Sequence, residues 1–189
     1  KKYILLALLA IVIAAPVVYN NLPPYALKRI EVYLNPGSDP RDGGYNILQS
    51  QLAIGAGEIF GMGLFKGNQT QLGFLHPKTT DFIFSVIGEE MGFVATGAIT
   101  ILYIVLVTKS IYIAKTAKDN IGSYIAIGLA GIFFFHMAEN IGMTIGLLPI
   151  TGVPLPFVSY GGSSLITNFI SIGLLLNISS RRQKAIFVE

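Results

Sequence analysis

The chain has 189 residues, of which 52% are hydrophobic and 12% are charged. Soluble domains carry about 25% charged residues, so this composition excludes a typical water-facing globule and predicts an all-α integral membrane protein. Cysteine is absent, which excludes a disulfide scaffold, a thiolate zinc site and a thiol nucleophile. The net charge of +3 is too small to predict a nucleic-acid partner.

Four apolar runs are long enough to cross a bilayer as helices. They cover approximately residues 3–19, 82–107, 121–138 and 163–178. A signal peptide is an alternative interpretation of the first run, but Pro16 and the apolar residues that follow it argue against a cleavage site there. The absence of an initiator Met indicates a processed product or a piece of a longer protein.

Basic residues are distributed unevenly around these runs. If the four spans alternate, eight Lys and Arg residues lie on one side of the membrane, whereas the connector 139–162 has none. The positive-inside rule then places both chain termini in the cytoplasm and the long loop, residues 20–81, outside.

The outer loop keeps helical spacing of its hydrophobic residues. Leu27, Ile30 and Leu34 predict one amphipathic helix, ended by Asn35–Pro36–Gly37. A second predicted amphipathic helix lies along the membrane surface, with its hydrophobic residues at Tyr45, Ile47, Leu48, Leu52, Ile54 and Ile59. The Gly-rich run 55–63 predicts either an anion nest of main-chain N–H groups or a tight turn packed on neighbouring helices.

The outer connector at residues 139–162 is apolar but contains three prolines, at positions 149, 154 and 156. It cannot form a regular spanning helix. Non-helical backbone at membrane depth must be buried in protein or line a wet cavity. We therefore predict a re-entrant hairpin that helps to form a pocket open to the outside.

Carboxylates in or near the bilayer are informative, because placing a charged side chain there costs free energy unless it is paired or has a function. Asp81 stands at the outer end of the second span, where it is either a helix N-cap or a carboxylate that acts on a charged lipid substrate. Glu89, Glu90 and Glu139 are predicted either to join helices or to take part in catalysis. His136 is predicted to be a hydrogen-bonded interhelical residue.

Basic residues of the outer loop could neutralise a pyrophosphate leaving group. They are Lys28, Arg29, Arg41, Lys66 and Lys78. The sequence contains no nucleotide-binding loop, catalytic serine motif or His-rich metal motif.

Taken together, motifs along the whole chain resemble those of the shape, elongation, division and sporulation (SEDS) family of membrane glycosyltransferases. The resemblance rests on Lys28–Arg29–Ile30, Asp39–Pro40, Gly44–Ser50, Gly67–Leu72, Thr80–Asp81–Phe82–Ile83–Phe84, Gly88–Glu89–Glu90, Asn140–Met143 and Leu148–Ser164. The run Lys66–Gly67–Asn68–Gln69 favours the elongation branch of the family over its division branch. Thr79, Lys78 and Asp42 depart from the usual pattern.

This resemblance implies a fold in which residues 1–189 are the C-terminal portion of one membrane domain, with the last four of ten transmembrane helices. It also implies an enzyme of the bacterial cytoplasmic membrane that polymerises lipid II into glycan strands at the outer face, for cell elongation and shape. The chain alone is expected to be inactive, because the other half of the cavity is missing.

The resemblance assigns roles to individual residues. Asp81 falls on the essential Asp of the family and would activate the acceptor hydroxyl, directly or through a divalent cation; no metal or cofactor is certain, and Mg²⁺ or Mn²⁺ remains open. Residues expected to bind pyrophosphate or sugar are Lys66, Lys78, Arg41, Gln49 and Gln69.

The resemblance further implies a class B penicillin-binding protein, which supplies the transpeptidase, and other membrane proteins of the elongation complex as partners. The single membrane helix of the transpeptidase is expected against the second and third spans. Two alternatives stay open: a lipid II flippase, for which Glu89–Glu90 and the Pro-broken hairpin would suit alternating access, and a non-catalytic scaffold for the transpeptidase.

Overall fold

The computed structural model describes residues 21–39, 43–76 and 79–181, and within these ranges the secondary structure is helical, without strands. The chain divides into two compact units, Lys1–Tyr45 and Asn46–Glu189. The helices are α1 (Pro24–Leu34), a 3-10 helix (Pro36–Ser38), α2 (Gly43–Ala56), α3 (Asn68–Gln71), α4 (Ile83–Lys115), α5 (Asn120–Thr144) and α6 (Gly162–Ser180). The span predicted at residues 3–19, with its signal-peptide alternative, lies outside the described residues.

In the first unit, helix α1 confirms the predicted amphipathic helix and its end. Pro24 supplies the first residue, where its missing N–H costs nothing. The backbone N–H of Asn35 donates to the Glu31 carbonyl at 2.8 Å, and Pro36 then prevents the helix from continuing. Lys28 Nζ lies 2.9 Å from Asp39 Oδ2, so this ion pair joins α1 to the chain after the 3-10 helix.

Helices α4, α5 and α6 are long and apolar enough to cross a membrane, and they cover the spans predicted at 82–107, 121–138 and 163–178. All three continue past their predicted ends. Helix α4 continues to Lys115, so Lys109 lies on the helix and not in the connector, and α5 continues through Glu139 to Thr144. The short connector 116–119 makes α4 and α5 antiparallel neighbours.

The apolar core joins these three helices at one end and, at the other, the non-helical residues 145–161, which we call the Pro-broken segment. Ala114, Ala126, Phe133 and Leu175 form one buried cluster shared by α4, α5 and α6. A second cluster contains Phe84, Tyr103 and Leu155, so it packs the non-helical chain after α5 against α4.

Helix α2 forms where predicted, but Ile59 lies beyond its end, and its hydrophobic residues divide between a face buried in the protein and an exposed face. Ile47 and Ala53 are buried, whereas Leu48 and Leu52 are 46% and 56% exposed. The buried face also carries Ser50, whose Oγ lies 2.6 Å from Ser85 Oγ on α4 and donates to the Thr144 carbonyl at 2.7 Å. Small residues face α4 because they allow the two backbones to approach closely.

Helix α4 is broken at Gly92, where φ is 72° and ψ is −168°. A continuous helix would bond Phe93 to Glu89 and Val94 to Glu90; both bonds are replaced by bonds to the turn at residues 58–63. The four replacements are Met62 N to Glu89 O (2.9 Å), Gly63 N to Glu90 O (3.0 Å), Phe93 N to Glu58 O (2.9 Å) and Val94 N to Ile59 O (3.1 Å). The break therefore leaves these backbone groups satisfied.

Glycines make this insertion possible. A Cβ on Gly57 would lie 1.8 Å from the Gly88 carbonyl oxygen, and one on Gly61, whose φ is 82°, would lie 2.2 Å from the Glu90 oxygen. The Gly-rich run is thus a tight turn packed on α4. Its N–H groups at Met62 and Gly63 donate to helix carbonyls, which disagrees with the alternative of an anion nest.

The close contact of Gly57 with Gly88 predicts that Ala substitutions at Gly57 and at Gly55 have different effects on stability. We expect Gly57→Ala to lower the free energy of unfolding by about 1–3 kcal/mol, because the added methyl group overlaps backbone that cannot move aside. Gly55→Ala is the control, since a Cβ there meets nothing within 4 Å. Thermal unfolding of the full-length protein in detergent measures both; equal melting temperatures would contradict the close contact.

Candidate functional site

The carboxylate singled out by the sequence, Asp81, lies just before helix α4. It is not the N-cap, because Phe82 occupies that position and no side chain caps the helix. Asp81 is partly exposed, and no hydrogen bond to its carboxylate comes from the described part of the chain. The N-cap interpretation is therefore wrong, and the carboxylate is available for another purpose.

Three consecutive carbonyls hold the backbone at Asp81 in place. Each accepts a hydrogen bond from a residue distant in sequence: Tyr160 N donates to Thr79 O (2.9 Å), Ser159 Oγ to Thr80 O (2.6 Å) and Asn140 Nδ2 to Asp81 O (2.9 Å). Such bonds fix the position of the residue without using its side chain.

Asn140 on α5 connects Asp81 to the Pro-broken segment. It is fully buried, and the same Nδ2 that bonds Asp81 also donates to the Val153 carbonyl at 2.8 Å. Next to Val153, Gly152 approaches the carboxylate so closely that a Cβ there would lie 3.2 Å from Asp81 Oδ2. The side chain of Asp81 therefore faces the backbone of the Pro-broken segment.

Further hydrogen bonds fasten the Pro-broken segment. Ser159 Oγ accepts from Leu155 N at 2.8 Å, and the Tyr103 hydroxyl on α4 donates to the Pro156 carbonyl. His136 Nδ1 lies 3.3 Å from the Pro154 carbonyl oxygen and must donate, since that oxygen only accepts. His136 is hydrogen-bonded as predicted, but its partner belongs to the Pro-broken segment and not to another helix.

A second carboxylate, Glu139, reaches the same segment from α5. It is 8% exposed, and the Thr151 hydroxyl donates to its Oε1 at 2.8 Å. Asp81, just before α4, and Glu139, on α5, thus approach adjacent residues, Gly152 and Thr151. Of this pair, Asp81 has the carboxylate that is free of partners among the described residues.

Glu89, on α4, has a structural role in holding helix α3. It is fully buried and accepts three hydrogen bonds, from Gln69 N (2.7 Å), Thr70 N (3.0 Å) and Thr70 Oγ1 (2.5 Å). These N–H groups open the short helix α3, so the carboxylate completes the N-terminus of that helix. Glu90 accepts from Gln71 Nε2 at 3.2 Å.

The residues predicted to bind substrate are spread over residues 41–78. Arg41 and Lys78 lie outside the described residues. Lys66 is exposed and forms no ion pair with Asp81. Gln49 is half-buried on α2, and Gln69 has a buried Oε1 that finds no hydrogen-bond donor among the described residues.

The described ranges contain no group of three His, Cys, Asp or Glu side chains placed to hold a metal ion. Mg²⁺ is often bound by one or two carboxylates together with substrate phosphates. Asp81 supplies one carboxylate of this kind.

Asn140, Thr151 and Ser159 shape the site, although the sequence did not single them out for this purpose. The sequence did indicate that these residues are hydrogen-bonded, because polar side chains inside apolar membrane sequence need partners. Nothing in the spacing shows which carbonyls those partners are.

Comparison with known proteins identifies the family of this chain. The family model described as cell cycle protein, for FtsW, RodA and SpoVE, matches residues 1–184. The chain belongs to this family, which is the SEDS family indicated by its motifs.

Three curated relatives illustrate the similarity. The chain is 45% identical over 161 residues to peptidoglycan glycosyltransferase RodA of Treponema pallidum (strain Nichols), which covers 85% of this chain and 37% of the relative. It is 45% identical over 156 residues to stage V sporulation protein E of Bacillus subtilis (strain 168), covering 82% and 42%. It is 44% identical over 159 residues to peptidoglycan glycosyltransferase MrdB of Escherichia coli (strain K12), covering 84% and 43%. The chain thus spans about two fifths of the length of these relatives.

Two solved structures share the fold. One, described as a peptidoglycan synthase complex that coordinates polymerization and crosslinking, has a TM-score of 0.78 and 31% identity over 97% of this chain and 50% of the other. The second is an Asp-to-Ala mutant of the rod shape determining protein RodA from Thermus thermophilus, with a TM-score of 0.52 and 36% identity over 56% and 35% of the two chains.

The contacts of Glu89 predict that its charge stabilises the protein. In Glu89→Gln an NH2 group, which cannot accept a hydrogen bond, replaces one of the two acceptor oxygens. At least one of the three donors therefore loses its partner. We expect the free energy of unfolding to fall by about 1–3 kcal/mol. Glu90→Gln is the matched control, because its remaining oxygen still accepts from Gln71. Thermal unfolding in detergent measures both variants, and equal losses would contradict the special role of Glu89.

Proposed function

We propose that the chain forms part of a peptidoglycan glycosyltransferase that polymerises lipid II at the outer face of the bacterial cytoplasmic membrane, in cell elongation and shape. Relatives of this chain named RodA and MrdB are peptidoglycan glycosyltransferases. The observation that supports the proposal most strongly is at Asp81. Its backbone is held by partners from two other parts of the chain, while its carboxylate has none in the described ranges.

The proposed reaction is a displacement at the anomeric carbon of the donor sugar. Asp81 accepts the proton of the acceptor sugar hydroxyl as the hydroxyl oxygen attacks that carbon. The bond from the carbon to the pyrophosphate oxygen breaks, and undecaprenyl pyrophosphate leaves with the bonding electrons. If Mg²⁺ or Mn²⁺ takes part, it would neutralise charge on the pyrophosphate while Asp81 holds it.

The remaining substrate contacts are assigned by charge and by hydrogen-bonding capacity. Lys66, Lys78 and Arg41 would neutralise the leaving pyrophosphate. Gln49 and Gln69 would bind the sugars, and the unused acceptor of Gln69 Oε1 supports its part of this assignment. Glu139 would position Thr151 and Gly152 next to Asp81, consistent with its hydrogen bond to Thr151.

The proposed orientation follows from the positive-inside rule. Lys109 and Lys115 lie in the last part of α4, and Arg181 follows α6, so these basic residues belong to the same ends of the spans. Both chain termini would then be cytoplasmic. Asp81 precedes α4 at its opposite end and would face outward.

A transporter remains the second candidate because α4 is a discontinuous helix, which is a feature of secondary transporters. Two observations favour the enzyme. The backbone groups at the Gly92 break are bonded to the turn 58–63, and Glu89 is fully enclosed by its contacts to α3. Neither arrangement supplies an exposed intramembrane charge that could alternate between two sides.

Substitution of Asp81 tests the proposed reaction. We expect Asp81→Asn to reduce lipid II polymerisation in detergent by about 10²–10⁴-fold, because the amide cannot accept the hydroxyl proton. The assay uses the full-length protein with its transpeptidase partner, and gel separation of labelled glycan strands measures the product. Glu58→Gln is the control, since Glu58 is also an exposed carboxylate and its hydrogen bonds use only its main-chain N–H and carbonyl.

The outcomes separate the candidate functions. Loss of polymer with unchanged thermal stability and partner binding supports a catalytic Asp81. Full polymerisation by Asp81→Asn would contradict it and direct attention to Glu139. If the unmodified protein also makes no polymer but moves lipid II between the leaflets of a vesicle, the flippase is correct; if it does neither but still binds the transpeptidase, the scaffold is correct.

We further propose that the membrane helix of a class B penicillin-binding protein packs on α4 and α5, and that other elongation-complex proteins join the assembly. The solved relative described as a peptidoglycan synthase complex supports a partner in general terms. On α4, Phe93, Ile101 and Leu102 are 71%, 61% and 67% exposed, so a wide apolar face is open within the described chain.

Crosslinking tests this packing. We expect a photo-crosslinking residue at Ile101 or Leu102 to capture the transpeptidase helix. A crosslinker at Tyr103, which is 5% exposed and contacts the Pro-broken segment, should not. The absence of adducts from both exposed positions in cells that contain both proteins would contradict the proposed interface.

A further inference from the structure

A pocket of about 710 Å³ lies at the end of the spans opposite Asp81. It is formed where three helix ends meet: the connector after α4, the first turns of α5 and the last turn of α6. Asp81 and the Pro-broken segment belong to the other ends of α4 and α5. The pocket is therefore separate from the proposed site of polymerisation.

The polar part of this pocket combines two cations with groups that accept hydrogen bonds. Lys118 comes from the connector and Arg181 from the residue after α6, and both are exposed. Within the described chain neither cation forms an ion pair. Asp119 and Asn177 line the same pocket, so the lining carries a net charge of +1 from these side chains. Such a set attracts an anion that also presents hydroxyl groups.

The remaining wall of the pocket is apolar. Ile121 and Ile125 are 69% and 40% exposed on successive turns of α5, and Ile178 on α6 completes the wall. Because α5 and α6 are membrane spans, this wall begins at the membrane surface and runs into the hydrocarbon region. Cations at the rim and isoleucines below them match the order of groups in a phospholipid, from headgroup to acyl chain. Basic pockets between membrane helices bind anionic lipid headgroups in this way.

We propose that this pocket binds an anionic phospholipid of the phosphatidylglycerol type. The phosphodiester lies between Lys118 and Arg181, and Asp119 and Asn177 accept hydrogen bonds from the headgroup hydroxyls. The acyl chains follow Ile121 and Ile125 on α5. The lipid thereby joins the connector to the end of α6, in the leaflet on the side of the basic connector.

Lipid retention by the full-length protein tests this assignment. The detergent-solubilised protein is incubated with phosphatidylglycerol, phosphatidylethanolamine or phosphatidylcholine of identical acyl chains, and native mass spectrometry counts the lipids that stay bound. We expect preferential retention of one phosphatidylglycerol. The double variant Lys118→Gln/Arg181→Gln should weaken its binding by about 30-fold, as expected for the loss of two interfacial cations.

A matched double variant controls for net charge. Lys109→Gln/Lys115→Gln removes the same charge from α4 residues that do not line the pocket, and it should retain phosphatidylglycerol as the unmodified protein does. A second variant, Ile121→Glu, places a negative charge on the apolar wall and should also release the lipid. Both pocket variants change exposed side chains, so thermal unfolding should be unaffected.

Several results would overturn the proposal. These are equal retention by the pocket and control variants, equal retention of phosphatidylcholine, or preference for phosphatidylethanolamine. Inorganic phosphate is tested in a parallel sample, and displacement of the lipid by millimolar phosphate would identify a site for a free anion. The measurement is independent of polymerisation, so it stands or fails separately from the function proposed for Asp81.

Discussion

The structure depends on one constraint: backbone N–H and C=O groups at membrane depth must find hydrogen-bond partners inside the protein. Two non-helical segments of this chain find these partners on helices α4 and α5. The turn at residues 58–63 replaces the helical bonds lost at Gly92. The Pro-broken segment is fastened by Asn140, Tyr103 and the hydroxyl of Ser159. Each segment is irregular in local structure but hydrogen-bonded to the helices around it.

The same bonds explain why a carboxylate is left free. Buried acidic groups in the membrane-spanning part have partners: Glu89 completes helix α3, and Glu139 accepts from Thr151. Asp81 differs because only its backbone is held: Asn140 donates to its carbonyl and Ser159 to the preceding carbonyl of Thr80, while its carboxylate stays partly exposed. A fixed backbone with an unused charge is what a general base requires, since its position is set before the substrate arrives.

Helix α4 also connects the two ends of the membrane domain. Near its first turns, small residues such as Ser85 and Gly88 admit α2 and the Gly-rich turn. Beyond the break at Gly92, the exposed apolar face around Leu102 is open for a partner helix, and the last turns reach the basic connector and the lipid pocket we propose there. The site proposed at Asp81, the open face for a partner and the proposed lipid pocket therefore lie before, along and beyond one helix.

The sequence by itself determined where the membrane helices lie and which carboxylate to examine, because a long apolar run must form a helix in lipid and an acidic residue at its end is conspicuous. Tertiary structure alone decided which face of α2 is buried, where α4 breaks and which carbonyls bond Asn140 and Ser159. In a membrane, the Leu52 side chain is removed from water equally well by lipid and by protein. Hydrophobicity therefore does not reveal which face of the helix packs on protein. The bonds of Asn140 and Ser159 join residues 59 and 79 positions apart, and only the folded chain brings such groups together.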